Sequence, residues 1–156
     1  MLKTRVLAVL LAGIFFVSCA KKETFDADAQ ARADEQIIKD FIAKNNIPAV
    51  RDPSSGVYYQ IVTPGTGNVT YSNNPELFAN YTGRLLDGTV FQKSTEPIKF
   101  RYSGVILGWQ VGLAKIQPGG RIRLIIPSGY AYGSSGYGNI PPNTVLDFDV
   151  DLIKAQ

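Results

Sequence analysis

The stretch VLDFDVDLI, residues 145–153, is the clearest β-strand signal in the chain, because apolar and acidic residues alternate along it. A period of two places the apolar residues on one face of a strand, namely Leu146, Phe148, Val150 and Leu152. The residues of the opposite face are Asp147, Asp149 and Asp151. A strand with one wholly apolar face is typical of an antiparallel sheet whose other face meets water. We therefore interpret the aspartates as solvent-facing side chains and not as a metal site.

Four other segments predict strands of the same sheet: 57–62, 77–86, 89–91 and 121–126. Asp87-Gly88, between the second and the third, is a strong hairpin signal. A short helix is predicted within 105–116, because Trp109, Leu113 and Ile116 follow one another at helical spacing. Strands on both sides of one short helix predict an α+β fold in which the sheet curls around the helix.

The composition excludes several kinds of chemistry. The 156 residues include no histidine and one cysteine, which excludes imidazole catalysis, imidazole metal ligation, an intrachain disulfide and a thiolate zinc cluster. Lys and Arg number 16 against 13 Asp and Glu, and without Lys3 and Arg5 near the N-terminus the balance is close to neutral. Such a balance leaves no basic surface for nucleic acid. We expect no metal, no cofactor and no nucleic-acid partner.

The segment SGYAYGSSGYGNIPPN, residues 128–143, gathers three tyrosines, four glycines and a Pro-Pro pair. Glycine, asparagine and serine favour tight turns, and aromatic rings carried on such turns can form the rim of an apolar cavity. The segment contains no nucleophile paired with a base and no group that titrates near neutral pH. It therefore predicts a binding cavity and not a hydrolytic site.

Residues 1–18 predict a lipoprotein signal peptide. Lys3 and Arg5 precede an apolar run, 6–17, that is shorter than the roughly 20 residues needed to cross a bilayer. The run ends in Phe16-Val17-Ser18-Cys19, which resembles a bacterial lipobox with Cys19 as the lipidated residue. Because Ala20 and not Asp follows, we expect a lipid anchor in the cell envelope, at the periplasmic face of the outer membrane. The alternative is an ordinary cleavable leader with an incidental cysteine.

Residues 19–46 are expected to form a tether and an amphipathic helix, and 47–55 a linker rich in proline and serine. Asp26 is a candidate N-cap, and Asn45-Asn46 a helix stop. One stripe of the helix is apolar and comprises Ile37, Ile38, Phe41 and Ile42. The stripe can pack on its own domain, on a second copy in a homodimer, or on another partner.

Four motifs in this order resemble the FKBP-type peptidyl-prolyl cis-trans isomerases. They are NYTGRLLDGTVF (80–91), VILGW (105–109), the segment from Pro127 to Asn143, and LDFDV (146–150). The resemblance spans residues 55–155 and places an isomerase domain at 56–156. It implies a five- or six-stranded antiparallel sheet wrapped around one short helix, here preceded by the N-terminal amphipathic helix.

The resemblance also implies an apolar proline pocket. Its lining would be Tyr81, Phe91, Gln92, Val105, Ile106, Trp109, Tyr132 and Phe148, with Tyr137 and Ile140 on the rim. The Tyr132 hydroxyl and the Ile106 backbone N–H would hold substrate carbonyls. Gln92 stands where the family usually has Asp, and the segment between Lys93 and Ile98 is shorter than in many relatives. Both departures bear first on the affinity for macrolide inhibitors and second on the catalytic rate.

The function implied is non-covalent isomerisation of X-Pro bonds in exported polypeptides, in a pocket that a macrolide can also occupy. Two alternatives stay open: a module or holdase chaperone that binds proline-containing segments with little turnover, and an assembly protein of the cell envelope that uses the amphipathic helix as its contact.

Overall fold

A computed structural model describes residues 25–156 of the chain. Seven strands form one antiparallel sheet, and their bounds are β1 Val50–Arg51, β2 Tyr58–Thr63, β3 Glu76–Leu85, β4 Val90–Lys93, β5 Ile98–Arg101, β6 Arg121–Ile126 and β7 Leu146–Ala155. Two α-helices accompany them, α1 at Ala27–Lys44 and α2 at Leu107–Leu113. The predicted α+β class, with one short helix against an antiparallel sheet and an N-terminal helix before it, is confirmed.

The strand order in the sheet is β1-β2-β6-β7-β3-β4, and β5 also pairs with β3. Strand β3 pairs with β5 through its first residues, with Leu77 opposite Phe100, and with β4 through its last ones, with Gly83 opposite Gln92. β4 and β5 therefore continue one edge of the sheet, and the connection between them is fixed at Ser94. The Ser94 backbone N–H donates to the Tyr81 carbonyl at 3.0 Å, and its hydroxyl accepts from the Tyr81 N–H at 2.8 Å.

The main core lies between the sheet and α2. The four apolar residues that alternate along β7 are all buried there, as the sequence predicts, and so are Trp109, Leu113 and Ile116. Two glycines allow α2 to lie very close to β6. A Cβ at Gly108 would come within 2.8 Å of the Ile126 side chain, and one at Gly112 within 2.6 Å of the Leu124 side chain. This close approach brings Trp109, in the first turn of α2, against the sheet.

Helix α1 covers part of the opposite face of the sheet. It begins after Asp26, whose side chain accepts hydrogen bonds from the Asp28 and Ala29 N–H groups, and it ends at Asn45, as predicted. Ile38 is completely buried and packs in a second cluster with Ile125 and Val145. Ile37, placed on the same stripe by the sequence, is instead 47% exposed. The apolar stripe of α1 is thus used, at least in part, within its own chain.

The interpretation of Asp147 as a solvent-facing side chain is wrong. Asp147 is 3% exposed and accepts two hydrogen bonds from Arg123, at 2.9 and 2.8 Å. The Arg123 guanidinium lies 5.9 Å from the centre of the Phe41 ring of α1. Helix α1 therefore covers this end of the outer face, while Asp149 and Asp151 stay partly exposed and form ion pairs with Arg121.

The segment 47–55, expected to be a linker, contributes β1 to the sheet and buries Ile47. Asp52 in this segment accepts a hydrogen bond from Lys115, just beyond α2, at 2.8 Å. Within residues 25–156, neither helix combines the length and hydrophobicity that a bilayer span requires. The predicted signal peptide and Cys19 lie outside the described residues.

Candidate functional site

A cavity of about 360 Å³ opens between α2, the sheet and the loop that follows β6. Its walls contain most of the residues that the sequence singled out: Tyr81, Gln92, Val105, Ile106, Trp109, Tyr132, Tyr137 and Phe148. Strands β3, β4 and β7 supply Tyr81, Gln92 and Phe148. Helix α2 and the turn before it supply Val105, Ile106 and Trp109. Residues far apart in sequence thus meet around one space.

Aromatic rings in edge-to-face contact surround Trp109, and of these Tyr81 and Phe148 line the cavity with it. The Trp109 ring centre lies 5.1 Å from that of Tyr81, 5.5 Å from that of Phe148 and 5.6 Å from that of Phe100. The interplanar angles are between 69° and 87°, the arrangement that aromatic quadrupoles favour. These contacts fix the orientation of the rings that line the cavity.

Phe91 and Ile140 do not line the cavity. The Phe91 ring lies behind Phe148, at 5.6 Å and 84°, and so supports a residue that does. Ile140 is buried and exchanges two backbone hydrogen bonds with Tyr137, at 2.9 and 2.8 Å. Its place is inside the loop, where it fixes the turn that presents Tyr137.

The loop side of the cavity carries two stacked tyrosines. The rings of Tyr132 and Tyr137 lie 5.1 Å apart at 14°, and Tyr137 is 69% exposed. Burial, with a smaller contribution from Tyr137, raises the pKa of the Tyr132 hydroxyl above its usual value. Burial also raises the pKa of Tyr81, and the nearby Tyr132 raises the pKa of Tyr81 further. Both hydroxyls are therefore protonated at neutral pH and can donate hydrogen bonds.

The turn before α2 presents a backbone donor at the cavity. Among residues 25–156 the Ile106 N–H donates no hydrogen bond. Its geometry is fixed by Gln110, whose side-chain amide donates to the Val105 carbonyl at 2.9 Å, and by Tyr102, whose hydroxyl donates to the Gln110 carbonyl at 2.8 Å. The Trp109 Nε1–H is likewise buried without a partner in the described part of the chain.

The cavity walls carry no Asp, Glu, Lys or Arg in the described part of the chain. General acid–base chemistry needs a group that titrates near the working pH, and Tyr81 and Tyr132, whose pKa values are raised, do not titrate there. What the walls offer is an apolar surface, three tyrosine hydroxyls, a backbone N–H and the Gln92 amide. The arrangement can bind and orient a small apolar ring flanked by carbonyl groups.

Comparison with known proteins identifies the family to which this fold belongs. A family model of the FKBP-type peptidyl-prolyl cis-trans isomerases matches residues 67–153, more than half of the chain. The chain belongs to this family. The matched residues include both the lining of the cavity and the loop that follows β6.

The isomerase FkpA of Escherichia coli is 41% identical over 140 residues, which are 88% of this chain and 50% of FkpA. The crystal structure of FkpA superposes with a TM-score of 0.71 and 36% identity, over 83% of this chain and 62% of that one. The isomerase Fkbp12 of Drosophila melanogaster is 42% identical over 107 residues, which are 65% of this chain and 99% of Fkbp12. The chain thus spans about half the length of FkpA and nearly all of the shorter FKBP relative.

Sequence reasoning did not single out Ile98 and Gly104, which also line this FKBP cavity. Ile98 lies at the start of β5, directly after Pro97, where it pairs with Ala79 of β3. A four-residue strand with little alternation gives no clear strand signal, and β5 was not predicted. The Glu96-Pro97 pair was the available signal, since a proline often stands before an edge strand.

Proposed function

We propose that this chain catalyses the cis-trans isomerisation of X-Pro peptide bonds in polypeptides, with the prolyl ring bound in the aromatic cavity. The observation that carries the proposal is the cavity itself: uncharged walls, aromatic rings supplied by the sheet, by α2 and by the loop after β6, and hydrogen-bond donors among its lining residues. The matching family supports it, and the cavity of about 360 Å³ has room for a five-membered ring with its flanking peptide groups.

The physical task suits such a site. Resonance gives the C–N bond partial double-bond character, and the resulting barrier is about 18–20 kcal/mol. In the twisted transition state the resonance is lost, and the carbonyl oxygen gives up part of its negative charge. Water stabilises the planar, more dipolar ground state better than the twisted state. An apolar cavity shaped for the twisted prolyl group therefore lowers the barrier, without any proton transfer or covalent intermediate.

The donors at the cavity mouth would hold the substrate. In the proposed complex, the Tyr132 hydroxyl and the Ile106 N–H donate to carbonyls of the peptide, and Trp109 lies beneath the ring. An acceleration of about 10³–10⁵-fold corresponds to about 4–7 kcal/mol, at 1.36 kcal/mol per decade. Fixed hydrogen bonds and a desolvated cavity are sufficient for an effect of this size.

A protease-free isomerisation assay on an X-Pro peptide tests the proposal with a matched pair of variants. Tyr132→Phe removes a hydroxyl at the cavity, and Tyr130→Phe removes one two residues away that does not line it. We expect activity in the wild type, a loss of several-fold in kcat/KM for Tyr132→Phe and little change for Tyr130→Phe. An inactive wild-type protein with a normal fold would refute the proposal.

Gln92 favours a second candidate, a module that binds proline-containing segments with little turnover. The side chain lies in the cavity wall and carries no charge where the family usually has a carboxylate. Tight peptide binding without acceleration, together with a faster Gln92→Asp variant, would select this function. Both candidates share the same ligand class, so a rapamycin-type macrolide is expected to compete with the peptide in either.

The leader supports a further proposal, that the protein is exported and held in the cell envelope by lipidated Cys19, where its substrates are exported polypeptides. Two or more acyl chains anchor stably, since each buried CH₂ contributes about 0.8 kcal/mol. A labelled fatty acid should be incorporated into the wild type and not into Cys19→Ala, and the variant should leave the membrane fraction.

For α1, the packing of Ile38 against its own sheet favours an intramolecular role over a homodimer contact.

A further inference from the structure

One buried carboxylate has no part in the proposed chemistry. Asp34 of α1 is 1% exposed. Its Oδ2 accepts two hydrogen bonds from Ser128, one from the backbone N–H at 2.7 Å and one from the hydroxyl at 2.6 Å. Its Oδ1 accepts a third from the Gln30 side-chain amide at 2.7 Å. The carboxylate thus joins two parts of the chain that are 94 residues apart.

A carboxylate in this position is costly to bury. Removing a charged group from water is unfavourable unless hydrogen bonds or an opposite charge replace the lost hydration. The three groups that donate to Asp34 are a hydroxyl, a backbone N–H and a neutral amide. The hydrogen bonds to a charged acceptor are individually strong, and two of the three hold a single residue, Ser128.

Ser128 begins the loop that carries the site tyrosines. Strand β6 ends at Ile126, and Ser128–Tyr130 then forms a turn of 3₁₀ helix. The Ala131 N–H donates to the Ser128 carbonyl at 3.0 Å. Because Tyr132 directly follows Ala131, the position of Ser128 sets the backbone path to Tyr132. A shift at Ser128 would therefore be passed to the Tyr132 ring.

Beside the Asp34–Ser128 contact, α1 and this loop border an open space. A cavity of about 400 Å³ lies between them, bordered by Gln30, Ala31 and Glu35 on the helix side and by Gly129, Gly133 and Ser134 on the loop side. Among residues 25–156, the Asp34–Ser128 hydrogen bonds are the ones that join α1 to this loop.

We propose that Asp34 is a positioning residue for the isomerase site: it fixes Ser128 and through it the loop that presents Tyr132. The inference depends on the isomerase function proposed above. It gives α1 a role in catalysis, because the helix that covers the outer face of the sheet also supplies the anchor of the loop on the catalytic side.

The first test compares two variants of the full-length protein that make the same chemical change in α1. Asp34→Ala removes the anchor, and Asp40→Ala removes an exposed carboxylate that also accepts from a glutamine four residues earlier, at 2.9 Å. At a temperature where both are folded, we expect Asp34→Ala to lower kcat/KM by about 10-fold, within the roughly 10²-fold that a 1 Å misplacement can cost. Asp40→Ala should be close to wild type.

A double-mutant cycle separates positioning from general stability. If Asp34 acts through Tyr132, Asp34→Ala should cost much less in a Tyr132→Ala background than in the wild type. The cost is measured in kcat/KM, or in peptide affinity from Trp109 fluorescence where turnover is too slow. Equal costs in both backgrounds, or equal activity of Asp34→Ala and Asp40→Ala, would overturn the inference.

Two milder variants decide the matter if Asp34→Ala does not fold. Ser128→Ala removes one of the two donors and should lower kcat/KM several-fold, whereas Asp34→Asn keeps an acceptor oxygen for Ser128 and should be closer to wild type. Wild-type activity in both would contradict the inference. An inactive wild-type protein would instead refute the proposed function, so the two failures are distinguishable.

Discussion

Gly83 tests whether the ring packing behind the cavity is as tight as the structure indicates. It lies in β3 between the rings of Phe91 and Phe148. A Cβ at this position would come within 2.6 Å of the Phe91 ring and within 2.7 Å of the Phe148 ring, whereas ordinary contact begins near 3.4 Å. Gly83→Ala should therefore displace both rings.

The backbone of Gly83 cannot move away from the rings at low cost. It is paired with Gln92 of β4 on one side and with Phe148 of β7 on the other. Overpacking of this kind costs about 1–3 kcal/mol. Since 1 kcal/mol corresponds to about 4–8 °C in domains of 60–100 residues and to about 2–4 °C in those of 150–250, a fold of intermediate size should lose about 3–5 °C per kcal/mol, and we expect the Tm to fall by about 3–15 °C.

The same change should affect activity, because Phe148 lines the cavity and Phe91 supports it. We expect kcat/KM to fall by about 10-fold at a temperature where the variant is folded, a misplacement effect of the kind seen with positioned groups. Thermal unfolding and the isomerase assay measure the two effects on the same samples.

Gly129→Ala is the matched control. No atom lies within 4 Å of a Cβ built at Gly129, and its backbone conformation suits an L-residue. Gly→Ala at such a site stabilises by about 0.4–1 kcal/mol through the unfolded state, so its Tm should be equal to or above that of the wild type. Equal Tm and equal activity for the Gly83→Ala and Gly129→Ala variants would refute the tight packing of the rings.

Three further predictions concern α1, the 47–55 segment and the cavity wall. Ile38→Ala should destabilise the fold by about 2–5 kcal/mol, as at other buried aliphatic sites, while Ile37→Ala, on the exposed side, should have little effect. Denaturant unfolding measures the free energy of unfolding of both variants, and equal losses would contradict the docking of α1. The hydrogen bond from Lys115, with others from Ser55, lowers the pKa of Asp52 from 3.8 to about 2. Because the folded pKa lies below the unfolded one, the interaction stabilises the fold above about pH 4 and is lost as the pH falls toward 2. The Tm measured from pH 2 to 5 should thus vary less in Asp52→Asn than in the wild type. Parallel curves of Tm against pH for the two proteins would count against the interaction. If the lack of a carboxylate at position 92 limits turnover, Gln92→Asp should raise kcat/KM with little change in Tm. A Gln92→Asp variant slower than the wild type would show that turnover is not limited in this way.

The sequence predicted those parts of the fold that depend on local periodicity. The burial of the apolar face of β7, the bounds of β6 and the burial of Trp109, Leu113 and Ile116 in and just after α2 are all confirmed. In each case an apolar face has a single partner, the main core, so the pattern along the strand or helix is enough to decide which residues are buried.

The errors arise where a second layer covers the sheet. Asp147 has the sequence context of a solvent-facing residue and is buried because Arg123 and α1 lie over it. The apolar stripe of α1 predicted that the helix packs on something, and periodicity alone cannot say on what. Asp34 could not be identified from the sequence for the same reason, since its partner is 94 residues away.

The candidate site was predicted by motif order and not by periodicity. The motifs bring eight of the proposed residues to one cavity, but they do not separate the residues that line it from Phe91 and Ile140, which support it. That distinction depends on side-chain packing between strands.

The most direct measurement is an NMR exchange experiment on an X-Pro peptide in excess over the protein. One sample gives both the cis-trans exchange rate and the chemical shift of the indole N–H of Trp109, the chain's one tryptophan. The account predicts exchange far faster than the uncatalysed tens to hundreds of seconds, together with a peptide-dependent shift of the Trp109 signal. Unchanged exchange with an unmoved Trp109 signal, in a folded sample, would contradict it.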